Sequence, residues 1–165
     1  MPENKYPKRK HPRLKFYDYT SNGYYFVTVS LKKRMPLLSE VCVGRDAHIP
    51  PKIRLTANGQ VLKKHIERIN EKYEAAHVDN YIIMPDHFHI IIVIDDNNGG
   101  MRASRPTSLI TIVRTLKTMV TKEIGVSLWQ PSFYEEVIKS QNQYENCWNY
   151  IEYNALKEYA KGEAR

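Results

Sequence analysis

Cysteine is scarce in this chain: Cys42 and Cys147 are the only two among 165 residues, and they form no CxxC pair. That spacing excludes a disulfide framework and a thiolate zinc knuckle, and it fits a reducing compartment. Long apolar runs are also missing, since no stretch approaches the ~20 residues that span a bilayer. The first residues are charged and lack the apolar core of a secretory signal, so a cytoplasmic, membrane-free protein is expected. There is no internal repeat and no low-complexity tract. Acidic residues are outnumbered, 18 Asp and Glu against 25 Lys and Arg, for a formal net charge of +7. An excess of cations favours a polyanionic partner, most commonly nucleic acid, although a merely basic soluble protein carries the same charge.

The chain has the length of one domain and, at 42% hydrophobic residues, the means to build a core. Residues 1–20 read as a basic N-terminal arm, densest at Lys5, Lys8, Arg9, Lys10, His11, Arg13 and Lys15; residues 21–165 read as a single domain. Asn22-Gly23 marks a turn before an alternating strand from Tyr24 to Leu31. Residues 32–54 read as irregular, broken by Pro36, Gly44, Pro50 and Pro51. Thr56 is a candidate N-cap for a helix over 57–74, whose apolar face is Leu62, Ile66, Ile69 and Tyr73. His77 to Met84 and His87 to Ile94 read as a tight antiparallel hairpin around Pro85-Asp86. After a polar loop, 107–124 reads as a helix with Leu109, Ile112, Val113, Leu116, Met119 and Val120 buried. Trp129 to Lys139 reads as a turn and strand, and 141–160 as a last helix. The order predicts an α+β fold: a ferredoxin-like (RRM-like) antiparallel sheet, β-α-β-β-α-β, plus a C-terminal helix. Two helices cover one face of such a sheet, and the last helix is available for the other.

On a strand, His87 and His89 project from one face while Phe88 goes to the other. Two imidazoles on rigid backbone make half of a divalent-metal site. Ordinary core or surface histidines produce the same spelling, as His77 shows at a strand start without a companion. Most catalytic sites need a third protein ligand. Asn154 offers an amide oxygen, a neutral hard donor suited to Mg²⁺ or Mn²⁺. It lies four residues after Tyr150 on one helical face, whereas Tyr153 is rotated by about 60° from Tyr150. A free phenol has a pKa near ~10, so forming phenolate at neutral pH costs roughly 4 kcal/mol, which a nearby cation or base offsets. Candidate DNA contacts are Lys8, Arg9, Lys10 and Arg13 on the arm and Arg114 and Lys117 on the second helix. Solvated charge explains each of these equally well.

The string Tyr81-Ile-Ile-Met-Pro-Asp-His-Phe-His-Ile-Ile-Ile resembles the HUH motif of single-strand nucleases. Trp129-Gln-Pro-Ser-Phe-Tyr-Glu-Glu-Val-Ile, followed by Tyr150-Ile-Glu-Tyr-Asn154-Ala-Leu-Lys157, is similar to the C-terminal signature of IS200-like Y1 transposases, and to their REP-associated branch in particular. The Asn22-Gly-Tyr-Tyr-Phe-Val-Thr-Val segment fits as well, so the likeness covers about residues 20–160. The resemblance implies that His87, His89 and Asn154 hold Mg²⁺ or Mn²⁺. It implies that Tyr150 attacks single-stranded DNA near a small hairpin, at a REP-like element or transposon end, leaving a 5′-phosphotyrosine and a free 3′-hydroxyl. It also implies a nucleoid-associated protein, with a monomer favoured over a homodimer. The branch usually reads Asn-Pro where this chain has Asn154-Ala155, but the ligand itself is retained. Two other readings fit the residues: a domesticated, non-catalytic single-strand binder, and a metal hydrolase in which Tyr150 is structural.

Overall fold

A computed structural model describes residues 17–42, 51–95 and 107–154. The arm residues Lys8, Arg9, Lys10 and Arg13 lie outside them, as does the predicted helical stretch beyond 154. The elements are β1 (Gly23–Ser30), a 3-10 turn (Lys32–Arg34), β2 (Ser39–Cys42), β3 (Lys52–Leu55), α1 (Ala57–Glu67), α2 (Ile69–Lys72), β4 (Ala76–Ile83), β5 (His87–Ile94), α3 (Leu109–Ile124), β6 (Tyr134–Ile138) and α4 (Gln141–Glu152). β4, β5, β1 and β6 form one sheet in that order. Every neighbouring pair in it is antiparallel.

Strand alternation divides this sheet into two unlike faces. Tyr25, Val27 and Val29 of β1 join Phe88, Ile90, Ile92 and Ile94 of β5 in the main core, together with Leu62 and Ile66 of α1 and Ile112, Val113 and Leu116 of α3. The opposite face carries Phe26 and Thr28 of β1, paired with Ile91 and His89 of β5. There a smaller apolar cluster of Phe26, Ile91, Ile138 and Ile151 fastens α4 to the sheet. β5 is central and covered on both sides, which is why its sequence is almost continuously apolar.

Local chemistry sets the helix ends. Thr56 caps α1, its hydroxyl accepting from Gly59 N–H at 3.2 Å. A Cβ on Gly59 would lie 2.0 Å from the Leu38 carbonyl oxygen, so only glycine lets this turn seat against the Leu38 backbone. α3 ends at Gly125, in the left-handed region at φ 82°, with its N–H bonded to Thr121 O. Ser140 caps α4 through Gln143 N–H at 3.2 Å.

Four expectations need correction. Residues 39–42 and 52–55 are a small antiparallel hairpin rather than irregular chain. The helix expected over 57–74 is divided at Arg68 into α1 and the single turn α2. Met119 is 40% exposed and is not part of the buried stripe of α3. Trp129 forms only an isolated bridge to Leu31, and regular β6 pairing begins at Tyr134.

Candidate active site

His87 opens β5 and His89 follows two residues later, so the pleat places both rings on the α4 side of the sheet. Their Nε2 atoms lie 3.1 Å apart. Each ring is held from behind by its other nitrogen. His87 Nδ1 faces Asp86 Oδ1 at 2.5 Å, and a carboxylate only accepts, so Nδ1 carries the proton and donates. His89 Nδ1 is 2.8 Å from the Thr28 hydroxyl, its cross-strand partner in the β1–β5 register. Asp86 in turn accepts from Arg34 Nη1 at 3.3 Å through Oδ2.

His89 is buried, at 4% exposure. Burial pushes its pKa down to about 3, reinforced by neighbouring His87 and Arg34 and opposed by Asp86. The ring is therefore neutral at physiological pH, the form that ligates a metal.

Tyr150 sits on the last turn of α4, 38% exposed. Its ring stands edge-on to His89, with centroids 5.0 Å apart, and edge-on to Phe26 at 6.0 Å. Phe26 stacks on His89 at 5.3 Å and 19°, so the three rings form one cluster in which each touches the other two. Tyr153 points elsewhere enough to be 54% exposed. Asn154 follows the end of α4 and is 4% exposed, and its Nδ2 has no hydrogen-bond partner among the described residues.

Two polar contacts tie α4 to the edge strand. Tyr144 donates to Asp79 Oδ2 at 2.7 Å, and Asn80 donates to Glu152 Oε1 at 3.2 Å. The β4–β5 register slips between Val78 and Asn80, so Asp79 is the extra residue of a bulge that turns it toward α4. Burial and the Asp79 carboxylate push the Tyr144 phenol up to about 12, which keeps it a donor.

The donor set fits a hard divalent ion. Among the described residues no three His, Cys, Asp or Glu side chains gather as metal ligands, so a third ligand beside the histidines must be of another kind. Two nitrogens 3.1 Å apart subtend about 90–100° at an ion about 2.1 Å from each, as adjacent octahedral ligands do. The Asn154 atom that lacks a partner is the Nδ2 donor, which a cation does not satisfy, so the end of this side chain that could serve as a ligand is the amide oxygen.

The other expected contacts lie elsewhere. α3 covers the opposite sheet face, and Arg114 is exposed there. Lys117 gives its ammonium to the carbonyls of Gln130 and Pro131 at 2.8 and 3.4 Å. Sequence reading also passed over Thr28, Phe26, Arg34 and Asp86. Only Asp86 left a local signal, as an acid directly before the first histidine.

Comparison with known proteins agrees with this architecture. Residues 19–154 match the family described as "Transposase IS200 like". The chain belongs to the IS200-like transposase family. It is 29% identical over 167 residues to an uncharacterized protein of Haemophilus influenzae, covering 90% of this chain and 88% of that one. It is 23% identical over 140 residues to a REP-associated tyrosine transposase of Escherichia coli, covering 84% and 70%. In fold it is similar to a REP-associated tyrosine transposase solved bound to a REP hairpin, with a TM-score of 0.62 at 21% identity, covering 88% of this chain and 74% of that one.

Proposed function

We propose that this transposase is an HUH-type nickase and strand transferase acting on single-stranded DNA, built on a ferredoxin-like sheet whose C-terminal helix carries the nucleophile. The strand order β4-β5-β1-β6 with two core helices on one face supports the fold reading. The single observation that carries the chemistry is the approach of the Tyr150 ring to within 5.0 Å of His89, whose Nε2 is 3.1 Å from that of His87.

His87, His89 and Asn154 would hold Mg²⁺ or Mn²⁺, which when bound supplies charge neutralisation at the scissile phosphate. The Tyr150 oxygen attacks phosphorus, the bond to the 3′ oxygen breaks, and that oxygen leaves as a 3′-hydroxyl. The phenol gives up its proton in the same exchange, and a 5′-phosphotyrosine remains. Attack by a 3′-hydroxyl on this link reverses the step and joins strands without a nucleotide cofactor. Phe26 and the α4 contacts fix the phenol's position, which is the main service a rigid site gives to phosphoryl transfer.

The partner proposed is a single strand bearing a hairpin, a REP-like element or transposon end. This reading draws on what the structural relative is bound to and on the net charge of +7. Arm residues Lys8, Arg9, Lys10 and Arg13 are proposed phosphate contacts. Arg114 and Lys117 are weaker candidates, being across the sheet from the histidines. Tyr150 and the histidines meet within one chain, which supports a monomer. A cytoplasmic, nucleoid-associated location is proposed because a DNA-processing role would call for it; among the described residues no helix is long and apolar enough to cross a membrane.

The test is incubation of labelled hairpin-bearing single strands with Mn²⁺, scoring covalent protein–DNA adduct. Tyr150→Phe keeps the ring and hence its packing, and adduct should vanish in that variant and in chelator. Adduct that survives in Tyr150→Phe removes this nucleophile. Binding without any adduct in the wild type would favour the non-catalytic binder.

A further inference from the structure

Asp86 lies in a turn clamped on every side. Met84 N–H donates to His87 O at 2.9 Å, Leu38 N–H to Pro85 O at 3.0 Å, and Leu31 N–H to Asp86 O at 2.8 Å. Arg34 reaches its carboxylate from a 3-10 turn in which Lys33 and Arg34 both take positive φ, 55° and 51°. Left-handed backbone is unfavourable for a non-glycine residue, so two in succession mark a position where the surrounding contacts dictate the conformation. The result is an unbroken chain: the Arg34 guanidinium on Oδ2, the Asp86 carboxylate, and the His87 Nδ1–H on Oδ1.

We propose that Asp86, itself anchored by Arg34, is the positioning residue that fixes the tautomer of His87 and keeps its Nε2 lone pair turned toward the ion site. The inference rests on the reading of His87 and His89 as metal ligands. A neutral imidazole has one N–H and one lone pair. With the proton committed to Asp86 at Nδ1, the lone pair stands on Nε2, the atom 3.1 Å from His89 Nε2. His89 has only a hydroxyl behind it, which donates or accepts equally well, so its proton is free to move to whichever nitrogen the ion site leaves available. His87 is thus the preset ligand of the pair and His89 the adaptable one.

Asparagine at this position separates positioning from mere packing. An amide has one acceptor and one donor end, whereas Arg34 has only donors. Arg34 therefore claims the amide oxygen and turns the amide N–H₂ toward His87 Nδ1. The ring must then accept at Nδ1 and carry its proton on Nε2, which blocks the ion-facing atom. Asp86→Asn should move the His87 proton from Nδ1 to Nε2, read by long-range ¹H–¹⁵N NMR of metal-free protein. Mn²⁺ affinity, read by calorimetry, should fall roughly 10–100-fold. Arg34→Ala alone should weaken binding, whereas Arg34→Ala added to Asp86→Asn frees the amide to flip and should restore much of it. This reversal of sign is not expected of residues that only stabilise the turn.

An unchanged tautomer in Asp86→Asn overturns the inference. So does Mn²⁺ affinity within about twofold of wild type after the tautomer has switched. If the wild type takes no Mn²⁺ that is lost in His87→Ala and His89→Ala, the metal reading itself fails and carries this inference with it.

Discussion

Replacing Phe26 with leucine should cost rate as well as stability. Phe26 is 7% exposed on β1, stacked on His89 at 5.3 Å, edge-on to Tyr150 at 6.0 Å, and packed with Ile91, Ile138 and Ile151. Leucine keeps the site apolar but removes volume worth roughly 0.5 kcal/mol by the usual cavity cost. It also removes two aromatic ring contacts, each worth about 0.5–1.5 kcal/mol. Phe26→Leu should therefore lower unfolding free energy by about 1.5–3.5 kcal/mol, measured by urea titration with circular dichroism. A domain with about 5–15 kcal/mol of stability remains almost wholly folded after such a loss, so depletion of folded protein does not slow the reaction. Without the ring that both touch, the phenol and the imidazole shift relative to each other. A displacement near 1 Å costs on the order of 100-fold in a positioned reaction, so adduct formation should fall about 10–100-fold. An adduct rate within about twofold of wild type, alongside the expected loss of stability, would show that Phe26 is only core and does not position Tyr150.

Two further outcomes follow from packing and titration. Gly59→Ala should destabilise the protein by about 2–4 kcal/mol in thermal or urea unfolding despite alanine's better helix propensity, because its Cβ meets the Leu38 carbonyl oxygen at 2.0 Å; a gain in stability would mean that α1 is not seated there. Tyr144→Phe should cost about 1 kcal/mol at neutral pH through loss of the Asp79 bond. Because the folded phenol is raised to about 12 from an unfolded value near 10, that contribution is intact below the unfolded pKa and fades as pH climbs through the folded one. The difference between wild type and Tyr144→Phe in urea titrations should shrink across that window, and a constant difference would contradict the assigned bond.

Legibility in the sequence followed the range of the forces involved. β5 runs from His87 to Ile94, the segment its apolar run and its Pro85-Asp86 break had marked. α3 spans Leu109–Ile124, close to its apolar stripe, because a helix buried on one face writes a period into its own residues. The β2–β3 hairpin was not readable: each strand has four residues, Lys52 and Arg54 among them, too few to show a period. Alternation placed His87 and His89 on one face, whereas the helical spacing read between Tyr150 and Asn154 runs past the end of α4 at Glu152. No local pattern connects Thr28 to a ring 61 residues away, since that contact exists only through strand register. Arg34 was still less visible, because its reach to Asp86 depends on a positive-φ turn that its own side chain disfavours.

The two faces of the sheet explain how a small domain holds so many polar groups beside its core. On the α1–α3 side, Val27, Val29, Phe88, Ile90 and Ile92 pack without interruption against helix residues such as Leu62 and Ile112. On the α4 side, the same two strands present Thr28, His87 and His89, and the apolar contact narrows to Phe26, Ile91, Ile138 and Ile151. Burying imidazoles and an amide costs free energy unless each finds a partner. The Asp86 and Thr28 contacts lower that cost for the rings, and burial on the opposite face offsets what remains. A hydrophobic residue in place of His89 would pack well and leave no ligand. β1 and β5 therefore serve two ends through one alternation: odd positions of β1 and even positions of β5 stabilise the domain, and the intervening positions hold the polar groups of the proposed site. Such a division also explains why α4 is tied down by Tyr144–Asp79 and Asn80–Glu152 at the edge: the face beneath Tyr150 is given to polar groups, so polar clasps supply attachment that a wider apolar contact would otherwise provide.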